Sequence, residues 1–280
     1  MNIDFIGLDD FLLSALREDI GTGDITTGCC VAPGATSRGY FIAKDSGVIC
    51  GLDVLIRVFR LLDGGIAVKP KVSDGATVQA GDIIAEISGS SQNILSGERT
   101  ALNIVQHLSG IATKTAEAVR CVAGTTARIV DTRKTTPGLR VLEKHAVKCG
   151  GGSNHRFNLA DGILIKDNHI VAAGGIANAV TAARRECPHT LKIEVETESL
   201  QQVDEALAAG ADIIMLDNMS VELMREAVTK IAGRALSEAS GNMGERLALQ
   251  TVAETGVDFI SIGALTHSVK ALDISLKFHD

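Results

Sequence analysis

The chain of 280 residues has no tryptophan, one tyrosine and seven phenylalanines. A core without aromatic bulk has to be filled mainly by Ala, Val, Ile and Leu. Proline is also scarce, at four residues against 29 glycines. That balance fits tight strand-to-helix turns and Gly-terminated helices better than extended linkers. No run of about 18 apolar residues occurs, which argues against a membrane span. No basic start followed by an apolar stretch marks a signal peptide. None of the six cysteines forms a C-x-x-C pair. Their spacing argues against metal ligation and predicts reduced, buried thiols in a cytoplasmic protein. The formal net charge of -7 argues against a nucleic-acid partner, although it leaves room for a local basic pocket.

Against that background, the sequence "DTRKTTPGLR" at 131–140 stands out. It gathers Arg133, Lys134 and Arg140 around a Thr-Thr-Pro-Gly turn, directly after the apolar run "ARIV". A solvated turn and an anion site are the competing readings, and the rest of the pattern decides between them.

The spacing of apolar residues predicts a helix over 9–18 with Asp9 or Asp10 as its cap, then a Gly-rich loop. Short apolar runs between 37 and 88, divided by Asp-Gly and Gly-Asp turns, read as strands of a small sheet interrupted by a helix at 51–62. Part of this stretch resembles the hammerhead of lipoyl carriers. However, Lys69 and Lys71 lie before the Asp-Gly turn rather than at a hairpin tip, which leaves a structural role. Residues 94–122 read as helical, with Ser96 as cap and a possible break at Ser109-Gly110. From 127 onward, six strands ("ARIVDT", "GILIK", "LKIEVE", "DIIMLD", "ALSEAS", "DFISIG") alternate with amphipathic helices, the pattern of a parallel α/β sheet or barrel. No G-x-G-x-x-G follows a strand, so a Rossmann dinucleotide site is not expected.

Each of these strands ends in polar groups: Thr132, Arg133 and Lys134; Lys166; Glu194 and Glu196; Asp217; Glu238, Ser240 and Gly241; Gly263, with His267 just beyond. A series of this kind marks a site, because α/β barrels and open sheets bind ligands at the carboxyl ends of their strands. Arg133, Lys134, His155, Arg156 and Lys166 make a cationic half, suited to carboxylates or phosphates. Glu196 and Asp217 make an acidic half, suited to ribose hydroxyls, a divalent cation or a developing positive charge. Ser240, Gly241 and Gly263 come from the last two strands, where barrels often bind phosphate. The loop "KCGGGSNHRFNL" adds backbone freedom beside His155 and Arg156. Cys149 in that loop reads as a structural thiol.

The stretches "EDIGTGDITT", "SGERTALNIVQHLSGIAT", "DTRKTTPGLR", "EKHAVKCGGGSNHR", "LIKDNHI", "EVE", "DIIMLDN", "EASGN" and "TGVDFISIGALTHS" together resemble the quinolinate phosphoribosyltransferases, also called carboxylating nicotinate-nucleotide pyrophosphorylases. The resemblance spans 18–268. It implies an N-terminal α/β sandwich domain (1–110), an incomplete, about seven-stranded α/β barrel (111–267), and a tail (268–280) packed back on the first domain. It implies transfer of a phosphoribosyl group from phosphoribosyl pyrophosphate to quinolinate with loss of CO2, for NAD synthesis. Lys134, Lys166, Glu196 and Asp217 would be catalytic. Arg99, Thr132, Arg133, His155, Arg156, Ser240, Gly241, Gly263 and His267 would bind substrate. Mg2+ would be the cofactor, held in part by Glu196 and Asp217. A homodimer, with a hexamer as the alternative, would place Arg99 in the neighbouring site. Three rival readings share parts of this pattern: a molybdenum-transport-associated relative, a nicotinate phosphoribosyltransferase and a non-catalytic nucleotide-binding module.

Overall fold

A computed structural model describes residues 6–241, 243 and 246–279. Asn242 of "EASGN" lies outside them. In chain order the elements are α1 (Leu8–Ile20), α2 (Ile25–Cys30), β1 (Thr36–Ala43), β2 (Gly47–Val48), α3 (Leu52–Leu62), β3 (Ala67–Pro70), β4 (Thr77–Val78), β5 (Ile83–Ser90) and α4 (Ser91–Cys121). There follow β6 (Arg128–Val130), α5 (Arg140–Cys149), β7 (Ile163–Ile165), α6 (Asp167–Ala173), α7 (Ile176–Glu186), β8 (Ile193–Thr197), α8 (Leu200–Ala209) and β9 (Ile213–Asp217). The last are α9 (Val221–Ile231), β10 (Leu236–Ser240), α10 (Arg246–Ala253), β11 (Phe259–Ser261), α11 (Ala264–His267) and β12 (Ile274–Phe278).

The chain divides into two units. The first comprises 1–116, 136–151 and 268–280, and the second 117–135 and 152–267. In the first unit an antiparallel sheet runs β12-β1-β5-β3, with the C-terminal strand paired along β1. Its core holds two of the few aromatics, Phe41 and Phe59, with ring centroids 6.0 Å apart. The segment 136–151, which a boundary at residue 110 would give to the barrel, belongs here. Leu142, Ala146 and Val147 on α5 are buried in this unit's core, so the apolar face of that helix decides its allegiance.

Three local expectations need correction. Helix α1 is capped by Gly7 in the left-handed region and not by Asp9 or Asp10, which sit in the first turn. The loop after α1 is short, because Asp24 accepts from Thr27 N at 2.9 Å and starts α2. Helix α4 is one continuous helix of 31 residues, starting at Ser91 rather than at Ser96 and unbroken at Ser109-Gly110. There, Ser109 Oγ accepts from Cys50 N at 3.0 Å, while Gly110 lies against the Val269 side chain and the backbone of Lys270 and Ala271. A methyl group on Gly110 would collide with the Lys270 carbonyl oxygen and approach Val269 Cγ1 to 2.9 Å. We therefore expect Gly110→Ala to cost about 1–3 kcal/mol, as overpacking does. A thermal melt would show a lowered Tm, and an unchanged Tm would contradict the close approach.

The second unit is a parallel sheet in the order β6-β11-β10-β9-β8-β7, with helices in the connections. Its core is aliphatic, including Ile129, Val195, Ile214, Leu216 and Ile260. Ser199 and Ser220 cap α8 and α9, and left-handed Gly174 and Gly210 close α6 and α8. Six strands are present among the described residues, and the position beside β6 is taken by one parallel bridge between Val130 and Ser153. This is an α/β barrel left incomplete between β6 and β7.

The cysteines depart from the expectation of buried thiols. Cys50 is buried, Cys29 and Cys30 are exposed, and the remaining three are half-buried. No helix among the described residues is long and apolar enough to cross a membrane.

Candidate active site

The sheet register sets the depth of each side chain in the second unit. Glu194 pairs with Ile213, Glu196 with Met215, Glu238 with Met215, and Ser240 with Asp217. Successive steps of two residues keep these side chains on one face of the sheet. Glu194 is therefore the deepest, Glu196 and Glu238 share a level, and Asp217 and Ser240 stand at the carboxyl ends.

The deepest layer was only half legible in the sequence. Asp131, fully buried at the end of β6, accepts from Asn154 Nδ2 at 2.6 Å and His155 N at 2.8 Å. It thereby fixes the loop that carries His155 and Arg156. Arg156 N donates to His155 Nδ1 at 2.7 Å, which leaves Nε2 as the proton-bearing nitrogen of the neutral ring. Nε2 points at Glu194 Oε2, 3.1 Å away, and Glu238 Oε1, 3.7 Å away. His155 thus sits over two buried carboxylates rather than within a purely cationic half. Burial, followed by the neighbouring Glu194, pushes the Glu238 carboxyl up to about 7, against a smaller opposing pull from His155. The sequence reading placed Glu194 and Glu238 at strand ends and gave them no role. A carboxylate inside an otherwise apolar strand such as "LSEAS" was the available signal.

The raised Glu238 pKa has a pH signature. A carboxyl whose folded pKa exceeds its unfolded value favours folding fully below the unfolded pKa, and that advantage is lost as pH rises through the folded pKa. The charge-free shape mimic Glu238→Gln should match wild-type stability near pH 4, below the unfolded pKa, and gain about 1–3 kcal/mol by pH 8. Denaturant titrations at the two pH values check this. A variant that is less stable at pH 8 would contradict it.

At the next level Lys166, at the end of β7, donates from Nζ to Glu196 Oε2 at 2.6 Å. Its backbone N donates to His169 Nδ1 at 2.9 Å, which starts α6. Glu194 and Glu196 therefore have separate partners, His155 below and Lys166 above. Arg156 Nη1 donates to the Gly162 carbonyl at 2.9 Å. Burial, then the nearby Arg133, lowers the Arg156 pKa from its ordinary value, with Glu194 acting in the opposite sense. Two guanidinium groups drawn together against their mutual repulsion form a place where an anion relieves an existing cost.

The rim comes from the ends of β9, β10, β11 and β6. Asn218 has φ 53, donates from its backbone N to Ser240 O at 3.0 Å, and donates from Nδ2 to Asp217 Oδ2 at 2.7 Å. Its Oδ1 occupies the space that a Cβ on Gly241 would need, and Gly241 itself has φ 89. Only glycine fits at 241. At β11, a Cβ on Gly263 would lie 3.0 Å from Lys134 Cδ and 3.2 Å from His267 Nε2. Thr266 Oγ1 donates to Lys134 O at 2.8 Å, and Lys134 N donates to Thr132 Oγ1 at 3.0 Å. Lys134, Gly263 and His267 therefore form one corner, and the Thr132 hydroxyl shapes its turn. Arg99 belongs to the first unit, where it is exposed on α4.

Two groups of three or more metal-competent side chains occur among the described residues, and neither includes Glu196 or Asp217. Two separate carboxylates suit magnesium, which takes one or two protein carboxylates and completes its shell with water and substrate phosphates.

Comparison with known proteins agrees with this geometry. Residues 24–109 match the family model "Quinolinate phosphoribosyl transferase, N-terminal domain", and residues 111–277 match that of the C-terminal domain. A protein from Bacillus subtilis (strain 168) named "Probable nicotinate-nucleotide pyrophosphorylase [carboxylating]" is 47% identical, covering 92% of this chain and 89% of its own. The Mycobacterium leprae nicotinate-nucleotide pyrophosphorylase [carboxylating] is 44% identical, covering 98% of both. The solved nicotinate-nucleotide pyrophosphorylase from Francisella tularensis superimposes with a TM-score of 0.92 at 41% identity, over 97% of this chain and 96% of its own. With both halves matched in order and the ring of strand-end residues in place, the chain belongs to the quinolinate phosphoribosyltransferase family.

Proposed function

We propose that the chain transfers the phosphoribosyl group of phosphoribosyl pyrophosphate to quinolinate and releases pyrophosphate and CO2, giving nicotinate mononucleotide for NAD synthesis. The observation that carries this reading is the nearness of two guanidinium groups, Arg133 and Arg156, in a unit where Lys166 adds a third cation at a strand end, paired with Glu196, a cationic set for a ligand with two carboxylates. A monocarboxylate such as nicotinate would leave part of that set uncompensated.

In this reading Arg133, Arg156 and Lys166 grip quinolinate. Arg99 of the partner chain in a homodimer would add a further cation, as the family resemblance implies. The pyridine nitrogen attacks the anomeric carbon as the bond to pyrophosphate breaks, through an oxocarbenium-like state. Glu196 and Asp217 face the developing positive charge or the ribose hydroxyls. Lys134 and His267 sit at the corner where the leaving group would emerge. Ser240, Gly241 and Gly263 receive the 5′-phosphate through backbone and hydroxyl donors. His155, seated on Glu194 and Glu238, holds Arg156 through the adjoining backbone. Mg2+, held by Glu196 and Asp217, would offset charge on the departing pyrophosphate.

Once the nitrogen is ribosylated the ring is cationic. The electron pair of the breaking C–CO2 bond flows into it, and a proton replaces the lost carboxyl group. The protein's task is to hold that geometry, and no covalent nucleophile is required. The test is to incubate purified protein with quinolinate, phosphoribosyl pyrophosphate and Mg2+ and to follow nicotinate mononucleotide by mass. Product that disappears on chelation of Mg2+ supports both parts of the reading. Failure to form product at any Mg2+ concentration overturns it.

A further inference from the structure

The first unit contains a polar cluster that the proposed reaction leaves unused. Cys50 precedes α3, Asp74 sits in the turn before β4, and His145 and Cys149 stand four residues apart on one face of α5. His145 Nε2 lies 3.2 Å from Asp74 Oδ2 and 3.2 Å from Cys149 Sγ. The ligand atoms of all four residues lie within 4.8 Å of one another. Cys50 is fully buried and the other three are half-buried.

Ordinary structural duties account for only part of this. Asp74 Oδ1 accepts from Gly51 N and Leu52 N, both at 3.0 Å, and so caps the start of α3. Oδ2 shares the Gly51 N bond at 3.1 Å, but the capping role leaves unexplained why it also faces an imidazole and why two thiols converge on the same point. Packing alone would be met by alanine or valine there, without four polar donors.

We propose that Cys50, Asp74, His145 and Cys149 form a tetrahedral site for one thiophilic divalent transition ion, Zn2+ by its donor set. Zinc bonds of about 2.3 Å to sulfur and about 2.0–2.2 Å to nitrogen and oxygen put neighbouring donors roughly 3.3–3.8 Å apart. Both His145 contacts are already near that spacing, and the widest pair needs to close by only about 1 Å. The surrounding contacts are those of a built site. Ser109 Oγ accepts from Cys50 N at 3.0 Å and donates to Cys50 O at 3.2 Å, and the cap bonds orient Asp74. Binding releases the thiol protons and ties three distant segments together, pinning α5 into the first unit. The sequence hides such a site because its ligands fall at 50, 74, 145 and 149 with no pair of cysteines close in the chain.

The test uses the reduced full chain after removal of metal by a chelator. On titration with Co2+, we expect one equivalent to produce the visible bands of tetrahedral cobalt and a near-ultraviolet sulfur-to-metal charge-transfer band. One equivalent of Zn2+ should displace it and raise Tm. Cys149→Ser and His145→Gln should each weaken Zn2+ binding by at least about tenfold, and Cys187→Ser should leave it unchanged. His145→Gln keeps both thiols, so it separates ligation from folding if Cys149→Ser is unstable. The proposal is overturned if the reduced protein binds no stoichiometric Zn2+, if both variants bind it as the wild type does, or if a Cys50–Cys149 disulfide forms while the reduced form ignores the metal.

Discussion

Arg133→Ala should lower kcat/KM for quinolinate by about 30-fold to several-thousand-fold, with Tm little changed. The magnitude follows from truncating one partner of a desolvated charge pair, about 2–5 kcal/mol, at about 1.4 kcal/mol per tenfold. Arg133 stands close enough to Arg156 to depress that residue's pKa together with burial. Removing it eases a repulsion in the free protein and removes a partner from the bound dianion. The fold therefore keeps its stability while the site loses its grip. Arg133→Lys should recover only part of the loss, because an ammonium cannot match a carboxylate with two parallel donors. Steady-state kinetics on the three proteins would decide the matter, and near-normal turnover by the alanine variant would refute the role given to the cationic set.

Lys166→Ala should have an effect of similar size for a different reason. Lys166 Nζ donates to Glu196 at 2.6 Å, and the Glu196 side chain is only 12% exposed. Without the lysine, a nearly buried carboxylate faces the incoming anion with no cation between them. Two costs combine: a lost substrate contact and a newly unscreened repulsion. The double variant Lys166→Ala/Glu196→Gln separates them, since coupled neighbours depart from additivity. If repulsion matters, the double variant should fall short of the product of the single losses. Strict additivity would show that Lys166 and Glu196 act independently, contrary to their contact.

The sequence disclosed the barrel better than the smaller unit. Strands that end in Arg133, Lys166, Glu196, Asp217, Ser240 and Gly263 repeat with a regular helix between them, and that local rhythm is readable without coordinates. The seventh position was not readable, because Ser153 contributes one bridge and no apolar run. The allegiance of 136–151 was hidden for another reason. The apolar face of α5 is visible in sequence, but which core it enters depends on long-range packing. Gly110 misled in the opposite direction. Glycine usually weakens a helix, yet here a crossing backbone at Lys270 demands it.

Within the site, the residues at strand tips were legible and those one layer down were not. His155 was grouped with the cations because its neighbour is Arg156. Its ring instead turns toward Glu194 and Glu238, which lie far away in sequence and meet it only through the sheet register. Asp131 is visible in the sequence as a polar residue at a strand end, but its task, holding Asn154 and the His155 backbone, requires knowing where the loop returns. Gly241 was assigned to phosphate on position alone. Its left-handed backbone and the Asn218 side chain packed against it supply a further, steric reason for glycine.

The most direct test of the central claim offers the protein quinolinate and nicotinate in parallel, each with phosphoribosyl pyrophosphate and Mg2+, and measures nicotinate mononucleotide from both. A cationic set built for two carboxylates predicts product from quinolinate and essentially none from nicotinate. Equal product from the two acids, or product from nicotinate alone, would contradict it.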